Sequence, residues 1–242
     1  MRNDKLDNLT IKEEFSKKGL ELDFVLGSFP STQKYAKTLN PQKDTVIISL
    51  SQTQGMGRQG RSFLSNEGGC YFSIIKNAEK DVLRDIPLMS VALSRVLEKY
   101  GCACQIKWPN DILIKGKKIC GMLCDVSGGK SVLGVGINVY NDISPLADIA
   151  TSLYAEEIYD VTRSRLIAQV IYEYYLLREE DFSIIRDEYQ SRLSVMGKEI
   201  KLVWNSKAYQ GKVKGITKEG FLIIDTSKGE TIFMNGEVEI VK

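Results

Sequence analysis

Two short stretches carry residue types that could do chemistry together. Gly55 to Ser62 reads GMGRQGRS, and Lys107-Trp108-Pro109-Asn110-Asp111 sets a lysine and an aspartate around a proline between two apolar runs. Arg58 and Arg61 stand among Gly55, Gly57 and Gly60, whose missing side chains let the backbone approach a ligand closely, so the loop suits the grip of an anion such as phosphate. A plain hairpin connection in which glycine supplies positive φ is the simpler alternative, and the two arginines weigh against it. KWPND reads equally well as a surface turn with a snorkelling lysine or as a reactive turn.

The sequence has no histidine. That removes Ser-His-Asp and Cys-His nucleophiles, histidine ligation of metals and histidine acid-base chemistry together, leaving Lys, Arg, carboxylates and backbone. The glycine loop matches G-x-G-x-x-G and comes within one residue of the P-loop pattern, with Arg61 where the lysine belongs. Both motifs need a helix that starts at the loop and aims its free N–H groups at phosphate. Here FLSNEGGCYFSII follows, with two adjacent glycines and then a strand, so neither nucleotide motif is expected. Cys102, Cys104, Cys120 and Cys124 form two close pairs that could hold zinc, but C-x-C and C-x3-C also suit alternating strand positions with thiols in a core, and no metal site is expected.

These stretches need elements to hold them. Leu22 to Leu26 reads as a short strand, and Ser31 or Thr32 could cap a helix over QKYAKTL. Thr45 to Leu50 is β-branched and apolar, a buried strand, and Cys70 to Lys76 reads as another. Pro87 to Tyr100 carries apolar residues at helical spacing, with Gly101 as a stop. Gln105 to Trp108, Asp111 to Ile114, Ile119 to Val126 and Val132 to Val139 form a meander joined by KGKK and SGGK turns. Thr162 opens a helix, and Phe182 to Leu193 reads as a second. Past Gly197, short β-rich runs suggest a small barrel. The expected fold class is α+β: a mixed, mostly antiparallel sheet flanked by helices over residues 1–195, and a small β domain over 196–242.

Lys+Arg 33 against Asp+Glu 31 gives a net charge of +2, which advertises no polyanion such as DNA as a bulk partner. The charged N-terminus lacks an apolar signal region, and no run approaches about 18 apolar residues, so a cytoplasmic protein with no membrane partner is expected.

KWPND, followed by Lys118-x-x-Gly121-x-Leu123 and then Gly134-Val135-Gly136-Ile137-Asn138, resembles the biotin protein ligases. GMGRQGR is similar to their GRGRxGR loop, Ser31-Thr32 falls in order upstream, and the likeness runs over roughly residues 22 to 242. The segment ending GEVEIVK is similar to the family's SH3-like domain. The resemblance implies a catalytic domain of the biotin–lipoate ligase, class II synthetase-like kind. It also implies ATP and biotin as substrates, Mg²⁺ with the nucleotide, and transfer of biotin to a lysine of a biotin carboxyl carrier protein.

The same resemblance implies roles for matching positions. Ser31, Thr32, Gln33 and Gln52 would line the ureido end of biotin, and Gly134 and Gly136 would let it lie against the backbone. Gly55, Met56 and Gly57 would belong to the biotin site. Lys107 would bridge the biotin carboxylate and the α-phosphate, and Arg58 would order the loop over the adenylate. Arg61, Phe63, Asn110, Lys118 and Asn138 would serve the nucleotide, Phe63 by stacking on adenine. Asp111 is a candidate base for the transfer step, or equally an orienting group for Lys107 or for its own turn. Met56 replaces the usual basic residue, Gln33 stands where asparagine is usual, and Asp125 where glutamate is common.

Adenylation suits a site without histidine, because the substrate's own carboxylate is the nucleophile and the enzyme needs only charge and alignment. A lipoate or other acyl ligase on the related fold and a binding protein without turnover are the alternatives. About twenty residues precede the first strand, too few for a three-helix DNA-binding domain, so a repressor is not expected. An exposed sheet edge could pair two copies into a homodimer.

Overall fold

The structure is a computed structural model that describes residues 4–78 and 82–241. Seven strands form one sheet in the order β1-β2-β3-β7-β6-β5-β4: β1 Asp23–Gly27, β2 Thr45–Ser49, β3 Cys70–Asn77, β4 Cys104–Lys107, β5 Asp111–Ile114, β6 Lys117–Ser127 and β7 Lys130–Ile137. The β1–β2 pair is parallel and every other neighbour is antiparallel, which is the mixed sheet the sequence led us to expect.

The apolar runs become strands covered on both faces. On one face lies the short helix α2, Thr32–Lys37, with Ser31 as its N-cap, whose hydroxyl accepts from the Lys34 amide at 3.3 Å. Ala36 of this helix closes over Ile47, Ile75 and Val132. The other face carries α3, Asp85–Glu98, and α4, Arg163–Arg178. α3 is central, with Met89, Val91, Ala92, Leu93, Val96 and Leu97 all buried, each side chain of Val or Leu size contributing about 1.5–3 kcal/mol by leaving water. Pro87 sits in its first turn, where no intrahelical N–H is needed.

One element was not expected from the sequence. Asn8–Lys17 forms α1, started by a reciprocal Asp7/Thr10 capping box and held by Ile11 and Phe15. Two buried residues in ten make too sparse a stripe to stand out against so many charges.

α5, Phe182–Arg192, leads into a five-stranded antiparallel sheet of β8 Glu199–Trp204, β9 Lys207–Ile216, β10 Leu222–Thr226, β11 Gly229–Phe233 and β12 Glu237–Ile240, in the order β11-β10-β9-β8-β12. Phe233 of β11 meets Tyr209 of β9 and Trp204 of β8 edge-on, so the sheet curls over its own core. It is fastened to the first sheet at the KWPND turn. The Trp108 indole donates to Gly220 O at 3.1 Å, and Tyr189 of α5 donates to Pro109 O at 2.9 Å. The Trp108–Pro109 peptide is cis. Among the described residues, no helix is long and apolar enough to cross a membrane.

Candidate functional site

The glycine loop is a closed hairpin. The Gly57 amide donates to Arg61 O at 2.7 Å, the Phe63 amide to Gly55 O at 3.0 Å, and Met56 bridges to Ser62. A single 3-10 turn covers Arg58 to Gly60, and the next strand or helix is β3, so no α-helix starts there and both nucleotide-motif matches are set aside. Gly55 is required by crowding: a Cβ there would lie 2.3 Å from Phe63 O.

Beneath the loop, the start of α2 meets β3 and β7 in a cluster of neutral polar groups. Gln52 Oε1 accepts from the Thr32 amide at 2.7 Å and its hydroxyl at 3.1 Å, while Gln52 Nε2 donates to Ser65 Oγ at 3.0 Å. Ser73 Oγ reaches Thr32 Oγ1 at 2.9 Å and Gln33 Oε1 at 3.1 Å. Gln33 Nε2 donates to Val132 O and to Asp125 Oδ2, both at 2.9 Å, and Asp125 also pairs with Lys37 at 2.8 Å. Each of these buried polar groups thus has a partner within the protein.

Ser31, Thr32, Gln33, Gln52, Met56, Gly57, Gly134 and Gly136 line one pocket together with Arg58, Phe63, Asn110 and Lys118, whereas Gly55 and Lys107, expected at the same site, do not line it. It holds about 60 Å³, room for a few water molecules. Its floor explains why it is so narrow. Gly121 and Gly136 are register partners on β6 and β7, and the Phe63 ring lies on both: a Cβ would meet it at 3.2 Å over Gly121 and 2.6 Å over Gly136. Gln33 Oε1 covers Gly134 in the same way, 2.4 Å from a Cβ built there. The backbone expected to lie open at Gly134 and Gly136 is thus covered by two side chains, which must swing away to admit a ligand.

Outward, the site becomes cationic. Arg58 donates to Asn110 Oδ1 at 2.9 Å and to Gly236 O at 3.5 Å, and Asn110 Nδ2 donates to Met122 O at 2.6 Å. Burial pulls the Arg58 guanidinium below its usual value and Asp111 opposes the shift; a guanidinium stays charged throughout. Arg61 forms an ion pair with Glu237. Lys107 ends β4 exposed, with no side-chain partner among the described residues.

Two expected residues have unexpected company. Asp111, weighed as a base or as an orienting group for Lys107 or for its own turn, faces Lys107 across the β4–β5 hairpin, but its carboxylate lies 2.8 Å from Lys118 Nζ, so its charged partner is Lys118. Asn138 is 5 % exposed and turned inward, donating to Thr151 O at 3.0 Å and accepting from Asn141 at 3.1 Å. It shapes the loop after β7 and lines none of the cavities described. Ser73 was missed because CYFSIIK reads as uniform core.

A second cleft, about 680 Å³, opens from the same Arg58–Asn110 seam and is walled by Lys107, Asp111 and Lys118 on one side and by β8 and β12 on the other. A neutral hydrogen-bonding pocket therefore joins a cationic cleft, with an aromatic ring between them.

Residues 26–142 match the model of the Biotin/lipoate A/B protein ligase family, and residues 195–241 that of the Biotin protein ligase C terminal domain. The chain is 30% identical over 233 residues to the Bifunctional ligase/repressor BirA of Bacillus subtilis, covering 87% of this chain and 71% of that protein. To the Biotin--[acetyl-CoA-carboxylase] ligase of Paracoccus denitrificans it is 26% identical, over 79% of this chain and 88% of the relative. Among solved structures, the biotin protein ligase from Aquifex aeolicus in complex with biotin and ATP superposes with a TM-score of 0.81 at 29% identity, covering 91% of this chain and 99% of that one.

Proposed function

This chain belongs to the biotin/lipoate A/B protein ligase family, in its biotin protein ligase branch, and from that premise we propose that it forms biotinyl-5'-AMP from biotin and ATP and transfers the biotinyl group to a lysine of a biotin carboxyl carrier protein. The observation that carries this reading is the continuity of the neutral polar pocket with the cationic cleft at Arg58. A substrate that fits both has an uncharged hydrogen-bonding head and an anionic tail. Biotin, with its ureido ring and carboxylate, is such a molecule.

In the first step a biotin carboxylate oxygen attacks the α-phosphorus, the bond from that phosphorus to the bridging oxygen breaks, and pyrophosphate leaves with the electron pair. Thr32, Gln33 and Gln52 hold the head. Lys107 neutralises the carboxylate and the α-phosphate as they meet, and Arg58 spans the adenylate from the loop. Charge fixed in place before the reactants arrive commonly supplies most of the acceleration in a reaction of this kind. Phe63 and Lys118 take the nucleotide once the ring leaves Gly136. Among the described residues, no group of three acidic or thiol side chains could hold a metal; Mg²⁺ arrives with the triphosphate as part of the substrate.

In the second step the carrier amine attacks the acyl carbon, the bond to the phosphate oxygen breaks, AMP leaves with the electron pair, and the proton lost by the amine passes to solvent water. Asp111, paired with Lys118, positions that lysine on the nucleotide. Residues 1–195 form the catalytic unit, residues 196–242 the C-terminal unit, and the reaction belongs to the cytoplasm.

A ligand lying on Gly134 turns Gln33 away from Ser73 and Val132, and a lipoyl or octanoyl chain offers it no replacement partner, a mismatch that costs about 1–3 kcal/mol for each unpaired buried polar atom. The test is exchange of labelled pyrophosphate into ATP with biotin, lipoate or octanoate, on the wild type and on Lys107→Ala. Exchange with biotin alone, lost by about 100-fold or more in the variant, is expected; exchange with lipoate in place of biotin overturns the assignment.

A further inference from the structure

The outer half of the cationic cleft is built by the C-terminal sheet, and its charges have no role in the mechanism above. Six cations line the cleft (Arg58, Arg61, Lys107, Lys118, Lys198 and Lys201) against three carboxylates, Asp111, Glu237 and Glu239. The excess of three positive charges exceeds the net charge of +2 of the whole chain. Asp111 is taken by Lys118 and Glu237 by Arg61. Lys107, Lys198 and Lys201 have no side-chain partner among the described residues.

Lys198 and Lys201 are held firmly by their backbone. The Lys198 amide donates to Val195 O at 3.1 Å, and Val213 donates to Lys198 O at 3.0 Å. Lys201 lies on β8, where Ile200 and Leu202 point into the core and Lys201 and Val203 face outward to the cleft. Its register partner is Glu239 on β12, with which it forms no ion pair. Like charges gathered in a cleft repel one another, and a polyanion relieves that repulsion.

We propose that Lys198 and Lys201 bind the β- and γ-phosphates of the nucleotide and hold pyrophosphate as it departs. The proposal rests on the ligase reading and extends it to residues outside the catalytic unit. Arg58 and Lys118 line both the pocket and the cleft, and Lys107 is the register partner of Asp111, which Lys118 holds; with the α-phosphate meeting the carboxylate at that shared seam, the rest of the triphosphate extends towards β8. As the bond from the α-phosphorus to the bridging oxygen breaks, the electron pair and its charge move onto the leaving group, where two ammonium groups meet it. No proton is transferred in that step.

The experiment is pyrophosphorolysis: isolated biotinyl-5'-AMP and pyrophosphate are converted to ATP and biotin, and KM for pyrophosphate is measured. Lys198→Ala with Lys201→Ala is expected to raise that KM about tenfold or more, the scale of one or two lost charge-assisted hydrogen bonds. Transfer from preformed adenylate to the carrier should stay within about twofold of wild type, because no pyrophosphate takes part. The double arginine variant should recover most of the affinity, and melting curves of all variants check that the sheet is intact. An unchanged KM in the double alanine variant overturns this proposal alone. A wild type that makes no ATP from biotinyl-5'-AMP overturns it together with the ligase reading.

Discussion

Lys107 and Asp111 are register partners across one hairpin, yet the Asp111 carboxylate sits 2.8 Å from Lys118 on β6 and leaves Lys107 with no side-chain partner among the described residues. A cleft lysine with no carboxylate beside it keeps its whole charge for an incoming anion. A carboxylate already held by one ammonium is better placed to orient that ammonium than to accept a proton.

Asp111→Asn should therefore act through Lys118. KM for ATP is expected to rise by about three- to tenfold, the effect of a freed and misplaced lysine, while transfer from preformed adenylate falls less than about tenfold. Rapid-quench transfer assays over pH 6–9 decide the matter. A loss of about 100-fold or more, reversed at high pH, would make Asp111 the base.

Gly136→Ala and Gly134→Ala test the floor of the pocket. Each new methyl meets a side chain, Phe63 at 2.6 Å or Gln33 at 2.4 Å. Either neighbour can turn aside, so the stability loss should stay near 1–3 kcal/mol. Ligand binding has no such escape, because the methyl occupies the surface on which a substrate would rest. Calorimetric titration should show biotin affinity weakened by about tenfold or more in Gly136→Ala.

Asp85 at the start of α3 is the buried anchor between sheet and helices. Lys76 pairs with it at 3.0 Å, Tyr174 donates at 2.7 Å and Ser131 at 3.1 Å, with both charged side chains 3 % exposed. Asp85→Ala leaves the Lys76 ammonium buried without a counter-charge and should cost about 3–5 kcal/mol in urea unfolding. Lys76→Met with Asp85→Leu should recover most of that loss, since removing both charges removes the penalty.

Alkaline pH should unfold the protein through its buried acids. Burial pushes the Cys124 thiol up to about 12 from an ordinary 9.0, and it raises Cys70, Cys120, Tyr174 and Tyr189 as well. A group whose folded value is raised releases its proton first in the unfolded chain. The stability it contributes is whole below pH 9 and is lost as the pH rises towards 12. Thermal melts from pH 7 to 11 should hold level and then fall; a rise above pH 9 would contradict the burial of these groups.

Much of this was readable from residue order. Ser31 caps α2 because a hydroxyl before a helical run supplies the acceptor that free N–H groups need, and TVIIS is β2 because β-branched residues fit a strand covered on both faces. The Gly68-Gly69 pair before β3 told against a phosphate-binding helix, and none starts at the loop. What stayed hidden depended on distant partners. Ser73 lies in an all-apolar run, and only the approach of α2 makes it a contact of Thr32 and Gln33. Asp111 chose Lys118 because β6 runs beside β5, which no local spacing states. Lys198 and Lys201 carried no signal in the sequence, because only the fold turns this face of the C-terminal sheet towards the cleft.

The glycine loop is fastened by residues that come very late in the chain: Arg58 bonds to Gly236, 178 positions further on, and Arg61 pairs with Glu237. Translation adds about 5–20 residues per second, so roughly 10–35 s separate synthesis of the loop from synthesis of its clasp. Once residues 134–138 have been made, the nascent chain carries every motif of the pocket but not yet the strand that secures its arginines, and at that stage it is expected to be silent.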